Sequence, residues 1–268
     1  MIDAHRPGVV PDFVLRPPTG SYHALNPSTK LVLAFAEAAV AFGVRGWTGP
    51  LVVIAIVVAT AMTARVGRSL VPFALAVIPL VASILLVNTF LFPGATDVIA
   101  RIGPLAPTWT GLEAALQATL RVAAFALSVA VFALTTPTDD LLADMERRGL
   151  GRRGVFVIGA AIGMIPRMVE RASEITDSQR ARGLDTEGSR WRRIRGVVPL
   201  AAPMIIGALS EVEERTMALE ARAFSAPGRR TILRPLPDST GQRTARWAAG
   251  VGAIVLVAAS IAGILPVP

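Results

Sequence analysis

Cysteine is absent from this chain, and histidine and lysine are nearly so. Without cysteine there are no disulfides and no thiolate metal sites. The two histidines, His5 and His23, both lie in the N-terminal stretch, which excludes a buried histidine-based metal centre. The sole lysine, Lys30, sits in Leu25-Asn26-Pro27-Ser28-Thr29-Lys30, so no G-x-x-x-x-G-K-[ST] loop exists to cradle a nucleotide. If ATP and magnesium drive anything here, a separate subunit binds them, and the chain is expected to bind no cofactor itself. Charge is also scarce. Only 17% of the 268 residues are charged and 53% are hydrophobic, with a mean hydropathy of +0.56. A soluble protein of this length needs more charge to cover its surface. The first 30 residues hold prolines and charges but no apolar core of a signal peptide. No internal repeat of the kind that builds inverted-repeat carriers is present.

What is present is a series of apolar runs. They cover roughly 31–44, 50–64, 70–92, 111–136 and 247–265, the third holding Pro72 and Pro79 and the last opening at Trp247. Two further runs, 154–165 and 197–209, are too short to cross a bilayer and suit helices that lie along or dip into one leaflet. The expectation is an all-α, polytopic helical membrane protein with about five spans. Arg65 and Arg68 mark one basic loop and Arg147–Arg153 another, which places the N-terminus and both loops in the cytoplasm and the C-terminus outside. The domain reading is an N-terminal tail over 1–22, membrane helices over 23–153, a cytoplasmic coupling region over 154–246 and a last span over 247–268.

The net charge of +8 is unevenly placed: 19 of the 27 basic residues fall between Arg147 and Arg246. Two helical stretches stand out there. In the first, 166–183, Met168, Ala172, Ile175, Gln179 and Arg182 share a face, with Pro166 suited to a helix start and Gly183 to a stop. In the second, 203–224, Leu209, Val212, Thr216, Leu219 and Ala223 share a face, and Glu211 stands four residues before Arg215 in the favourable order. The first ends in Ala181-Arg182-Gly183 and the second in Ala221-Arg222-Ala223. An arginine flanked by small residues projects a guanidinium able to enter a groove and grip a carboxylate bidentately. A cation at a helix C-terminus is also what the helix dipole alone favours. Recurrence of the pattern 40 residues apart points to a docking role.

These paired signatures resemble the T component of energy-coupling factor transporters, the membrane scaffold of vitamin and metal-ion importers. Leu25 to Leu31 (LNPSTKL), Thr135 to Leu141 (TTPTDDL) and Ile165-Pro166-Arg167 are similar to other parts of that family, and the match covers roughly residues 22–235. The resemblance implies a non-catalytic subunit in an ABC-type importer. Its two long coupling helices would cross beneath the membrane, with Met168, Ala172, Ile175, Leu209, Val212 and Leu219 packing them together. Arg182 and Arg222, within their tripeptides, would each dock on one of two ABC ATPase subunits, and the helices would grip a small substrate-binding membrane protein, the S component. The second signature departs in having Ala223 where the family usually has glycine. That removes freedom to adopt positive φ, and the second helix is expected to run on towards Pro227-Gly228.

Other features have plainer readings. Thr138-Asp139-Asp140 reads as an N-cap and acidic first turn of a short helix closing at Glu146–Gly149. Glu37, Glu113 and Arg121 lie in or near spans; the two carboxylates carry no assigned role, and Arg121 is a candidate partner for one of them. Trp191-Arg192-Arg193-Ile194-Arg195 reads as a loop on anionic headgroups. A lipid-modifying enzyme would need buried histidine, cysteine or paired carboxylates on the spans, and these are missing or weak. Nucleic-acid binding is disfavoured because the basic charge hugs membrane segments. The competing reading is a stand-alone carrier or channel.

Overall fold

The structure is a computed structural model that describes residues 22–93, 97–99, 107–183, 190–224, 226 and 236–264, with backbone only for 190–199. It is all-helical among the described residues. The helices are α1 (Pro27–Gly43), α2 (Thr48–Thr63), α3 (Gly67–Leu91), α4 (Trp109–Thr135), α5 (Thr138–Arg147), α6 (Arg152–Ala181), α7 (Arg190–Ala221) and α8 (Thr240–Ile261). They separate into two compact units. One contains α6 and α7, and the other α1–α5 with α8.

In the second unit, α3, α4 and α8 are each long and apolar enough to cross a membrane. The apolar helix α2 is shorter, at 16 residues, below the length of about 20 residues that a straight crossing of the hydrocarbon core takes. None of the most apolar stretch of α3 is buried. Its Val71, Leu75, Ile78, Leu86 and Leu91 stand outward, as expected for side chains solvated by lipid. Small residues let the helices approach closely. Ala41, Val53, Val57, Ala61, Leu70, Ala124, Ala130 and Val131 form the core. A Cβ on Gly111 would come within 2.5 Å of the Asn88 carbonyl of α3, and one on Gly43 within 2.5 Å of Val257 of α8. Such contacts suit spans whose association depends on packing rather than on water exclusion.

Successive contacts give α1 and α8 the same direction. The Asn26 amide donates to Gln242 Oε1 (2.9 Å), Arg246 Nη1 to Thr29 Oγ1 (3.4 Å), and the Arg45 amide to Ser260 Oγ (2.9 Å). Both helices therefore start at the end of the unit where α4 finishes and α5 begins.

That end is held by a polar knot. Asn26 Oδ1 accepts from the Ser28 amide (3.0 Å) and caps α1, with Pro27 at its first turn. Asn26 Nδ2 donates to Asp144 Oδ1 (3.0 Å), Ser28 Oγ donates to Asp144 Oδ2, and Arg148 Nε donates to the same oxygen (2.8 Å). Lys30, 2% exposed, donates to the carbonyls of Thr135 (2.8 Å) and His23 (3.1 Å) and lies over the Tyr22 ring. The sole lysine is thus a buried tie between α1 and the end of α4. Burial opposes ionisation of Asp144, but hydrogen bonds from Ser28, Arg148 and Asn26, with the Arg148 charge, outweigh it and hold the carboxyl below its ordinary range.

Several sequence expectations are corrected here. Thr138 is the first residue of α5, not its cap; Pro137 holds the cap position, while Asp139 and Asp140 occupy the first turn. Pro166 lies inside α6 rather than at its start, so the apolar run 154–165 and the stretch 166–181 are one 30-residue helix. Likewise Pro199, Pro203 and the stretch 191–195 lie inside α7, which replaces the expected headgroup loop. A proline in a helix loses one hydrogen bond and crowds the preceding turn, whereas a break would leave several backbone groups unsatisfied. Arg121 does not pair with Glu37 or Glu113. It donates to the Val44 carbonyl at 3.5 Å, whereas Glu37 accepts from Ser128 and Glu113 from Gln117.

Candidate docking interface

Helices α6 and α7 pack antiparallel, with the first half of α6 against the last half of α7. Glu211 stands at the centre. Arg215, one turn on, donates to it at 2.6 Å, realising the pair expected from spacing, and Arg167 and Arg171 of α6 reach it at 3.6 and 3.7 Å. Arg171 Nη1 also donates to the Gly207 carbonyl (3.2 Å). A Cβ at position 207 would fall 2.6 Å from the Arg171 guanidinium, so a larger residue there would push that side chain aside. At the other end of the contact, the Phe156 and Phe224 rings pack with centroids 4.8 Å apart, and Arg152 lies over Phe224 and donates to its carbonyl. Between these points Phe156, Ala160, Met164, Val212, Thr216 and Leu219 line an apolar cavity of about 210 Å3.

The anticipated packing residues fall as follows. Met168, Ala172 and Ile175 lie half-buried along one side of α6, and Leu219 is half-buried on α7. Leu209 and Val212 are 61% and 53% exposed. The protected stripe on α7 is the adjoining one, through Gly207, Glu211, Arg215 and Leu219. Its polar centre hides it from a search for apolar periodicity. The glutamate–arginine spacing was the available signal.

The two signature tripeptides end their helices in matching ways. Arg182 is the C-cap of α6, and Gly183 follows at φ +92° with its amide donating to the Arg180 carbonyl (2.9 Å). On α7, the Ala223 amide donates to Glu220 (2.9 Å) and the Phe224 amide to Leu219 (2.9 Å), a Schellman closure that puts Arg222 at the C-cap. Ala223 takes φ +55° to make it. The second helix therefore does not run on towards Pro227-Gly228. It stops where its counterpart stops, and alanine bears a strain that glycine avoids. Ala181, Arg182, Gly183, Ala221, Arg222 and Ala223 are all exposed. Arg222 lies beside the first turn of α6, through the Arg152–Phe224 contacts, and Arg182 at the far end of that 30-residue helix. At 1.5 Å per residue the two guanidiniums are separated by roughly 45 Å along α6.

Replacing Ala223 by glycine is expected to stabilise the last turn of α7 by about 1 kcal/mol. Slower amide exchange at Phe224, whose amide closes the cap on Leu219, would report it. Exchange that is unchanged or faster would mean the strained cap is not rate-determining for fraying.

Fold and site together define a polytopic helical membrane subunit carrying a separate two-helix module tipped by arginines. Comparison with known proteins gives the same class. The chain matches the cobalt transport protein family CbiQ over residues 19–232. It is 32% identical over 182 residues to the energy-coupling factor transporter transmembrane protein EcfT of Heliobacterium modesticaldum, covering 65% of this chain and 67% of that one. It is 29% identical over 244 residues to the protein of the same name from Thermosediminibacter oceani, covering 87% and 91%. A putative ABC transporter ATP-binding protein of Bifidobacterium longum is 31% identical over 250 residues, which is 90% of this chain but 31% of that longer protein.

The chain belongs to the CbiQ family. It is the transmembrane component of an energy-coupling factor transporter, a multi-pass and non-catalytic subunit with no cofactor of its own.

Proposed function

We propose that this subunit transmits the conformational change of two ABC ATPase subunits to a small substrate-binding membrane protein, the S component, during uptake of a vitamin or metal ion. The observation that carries the reading is the repeated cap: two long helices of one unit, each ending in an exposed arginine followed by a left-handed residue. An exposed guanidinium at a rigid helix end is suited to a carboxylate-lined groove. The two caps lie a helix length apart, so each would serve one ATPase. The Bifidobacterium relative supports an ATPase partner, because there the homologous stretch is part of a chain named for ATP binding. Val157, Ile165 and Val169 of α6 and Ile205, Ile206 and Leu209 of α7 are exposed, and apolar side chains so arrayed call for a protein or membrane cover. By the positive-inside rule this coupling region, 154–246 in the sequence reading, faces the cytoplasm, with 23–153 and 247–268 supplying the spans.

Co-purification tests the docking assignment. The wild-type chain is expected to bring down two ATPase chains, and the Arg182→Glu/Arg222→Glu double variant to bring down none. Recovery of both ATPases with the double variant would remove the assignment.

A further inference from the structure

Four arginines meet at the end of the membrane unit where α5 closes and α8 opens. Arg147 and Arg148 end α5, and Arg243 and Arg246 lie on the first two turns of α8. With Asp144 and Asp238 they line an open cavity of about 350 Å3. Four guanidiniums thus face two carboxylates; both oxygens of Asp144 are engaged, whereas Asp238 uses one and its buried Oδ1 makes no hydrogen bond among the described residues. Asp144 is held by Asn26, Ser28 and Arg148. A single oxygen of Asp238, Oδ2, is shared by Arg243 (3.3 Å), Arg148 (3.5 Å) and Arg246 (3.6 Å). Arg147 donates to the Leu236 carbonyl (2.9 Å) and has no carboxylate partner among the described residues. Each guanidinium has five N–H donors, so more donors surround the cavity than the described residues accept from.

The position along α8 says what chemistry would meet them. Arg246 is followed by Trp247, 73% exposed, and then by the apolar stretch of a membrane span. A tryptophan at that boundary marks the headgroup level, and the N-terminus of α8 adds positive potential there. An excess of two positive charges, unspent planar donors and a cavity at headgroup depth fit a multi-oxygen anion carried by lipid. We propose that this cavity binds the phosphate of an anionic phospholipid headgroup, seated between Arg147 and Arg148 on α5 and Arg243 and Arg246 on α8.

The test is lipid retention by the purified full chain, measured by native mass spectrometry after equilibration with phosphatidylglycerol or with phosphatidylcholine of the same acyl chains. Phosphatidylglycerol is expected to be retained at least about tenfold better, and Arg147→Gln/Arg243→Gln to remove most of that preference, the equivalent of one or more charge-assisted hydrogen bonds. Equal retention of the two lipids would overturn the proposal, as would a preference unchanged in a folded double variant. Inorganic phosphate distinguishes the source. Displacement of phosphatidylglycerol by millimolar phosphate would overturn the lipid assignment, and indifference to it supports it. Should the double variant not fold, the comparison of the two lipids on the wild-type chain still decides.

Discussion

Truncating Asp144 to alanine is expected to destabilise the membrane unit by about 3 kcal/mol or more, because it leaves Asn26, Ser28 and Arg148 facing a gap. Three helices meet through this one side chain. Asn26 and Ser28 fix the start of α1, Arg148 the end of α5, and Arg148 continues to Asp238 just before α8. The predicted outcome is a lower unfolding temperature in detergent and reduced membrane levels. Asparagine at 144 keeps the shape and one acceptor, so it should cost less than alanine but more than a surface change. Acid should reproduce part of the effect in the wild type. The carboxyl is held below its ordinary value in the folded state. Its stabilising contribution is therefore complete above the unfolded carboxyl value of about 4 and is lost as pH falls below that towards the folded value. The Asp144→Asn chain should lack this component of the acid transition. An identical acid profile in both chains, or an alanine variant as stable as the wild type, would place the anchoring elsewhere.

Charge reversal at Arg182 alone is expected to lower ATP-driven uptake by roughly 30-fold or more while leaving one ATPase contact, through Arg222, in place. Reversing a charge buried in a docking groove costs about 2–5 kcal/mol of affinity, and on the proposed mechanism a subunit holding one ATPase of a pair would not transmit their closure. Arg182→Lys should recover only part of the activity, since lysine restores the charge but not the bidentate fork. The same substitutions at Arg222 should act similarly. Arg222 is bracketed by Ala221 and the strained Ala223, so an Ala223→Gly background should leave docking intact. Normal uptake by Arg182→Glu would mean that this arginine is merely a favourable helix-end cation.

The helical class, the three long apolar helices α3, α4 and α8 and the two arginine-ended helices were legible in the sequence because each rests on local information. Hydropathy marks a lipid-facing helix such as α3, and spacing alone pairs Glu211 with Arg215. The helix limits were less legible. Pro166 and Pro203 looked like starts, yet both lie inside longer helices whose continuity satisfies more backbone groups than a break would. Ala223 looked like a residue that would carry its helix onward. Closure of the last turn through Leu219 and Phe224 overrode its reluctance to take positive φ. The polar knot was the least legible feature. The stretch Asn26–Lys30, Asp144 and Asp238 are far apart in the chain, and each reads locally as an ordinary helix cap or charge. Only the tertiary meeting of α1, α5 and α8 gives them a joint one.

The chain leaves the membrane unit after Leu150 and rejoins it at Leu236, and Arg147 bonds to the Leu236 carbonyl across that gap. The two-helix unit is therefore strung between neighbouring anchor points instead of hanging from a single thread. A pull on either strand loads the same abutment, made of the end of α5 and the approach to α8, and is shared with α1 through Asp144 and Gln242. Both strands therefore share one footing, and a load arriving on either meets α1, α5 and α8 together.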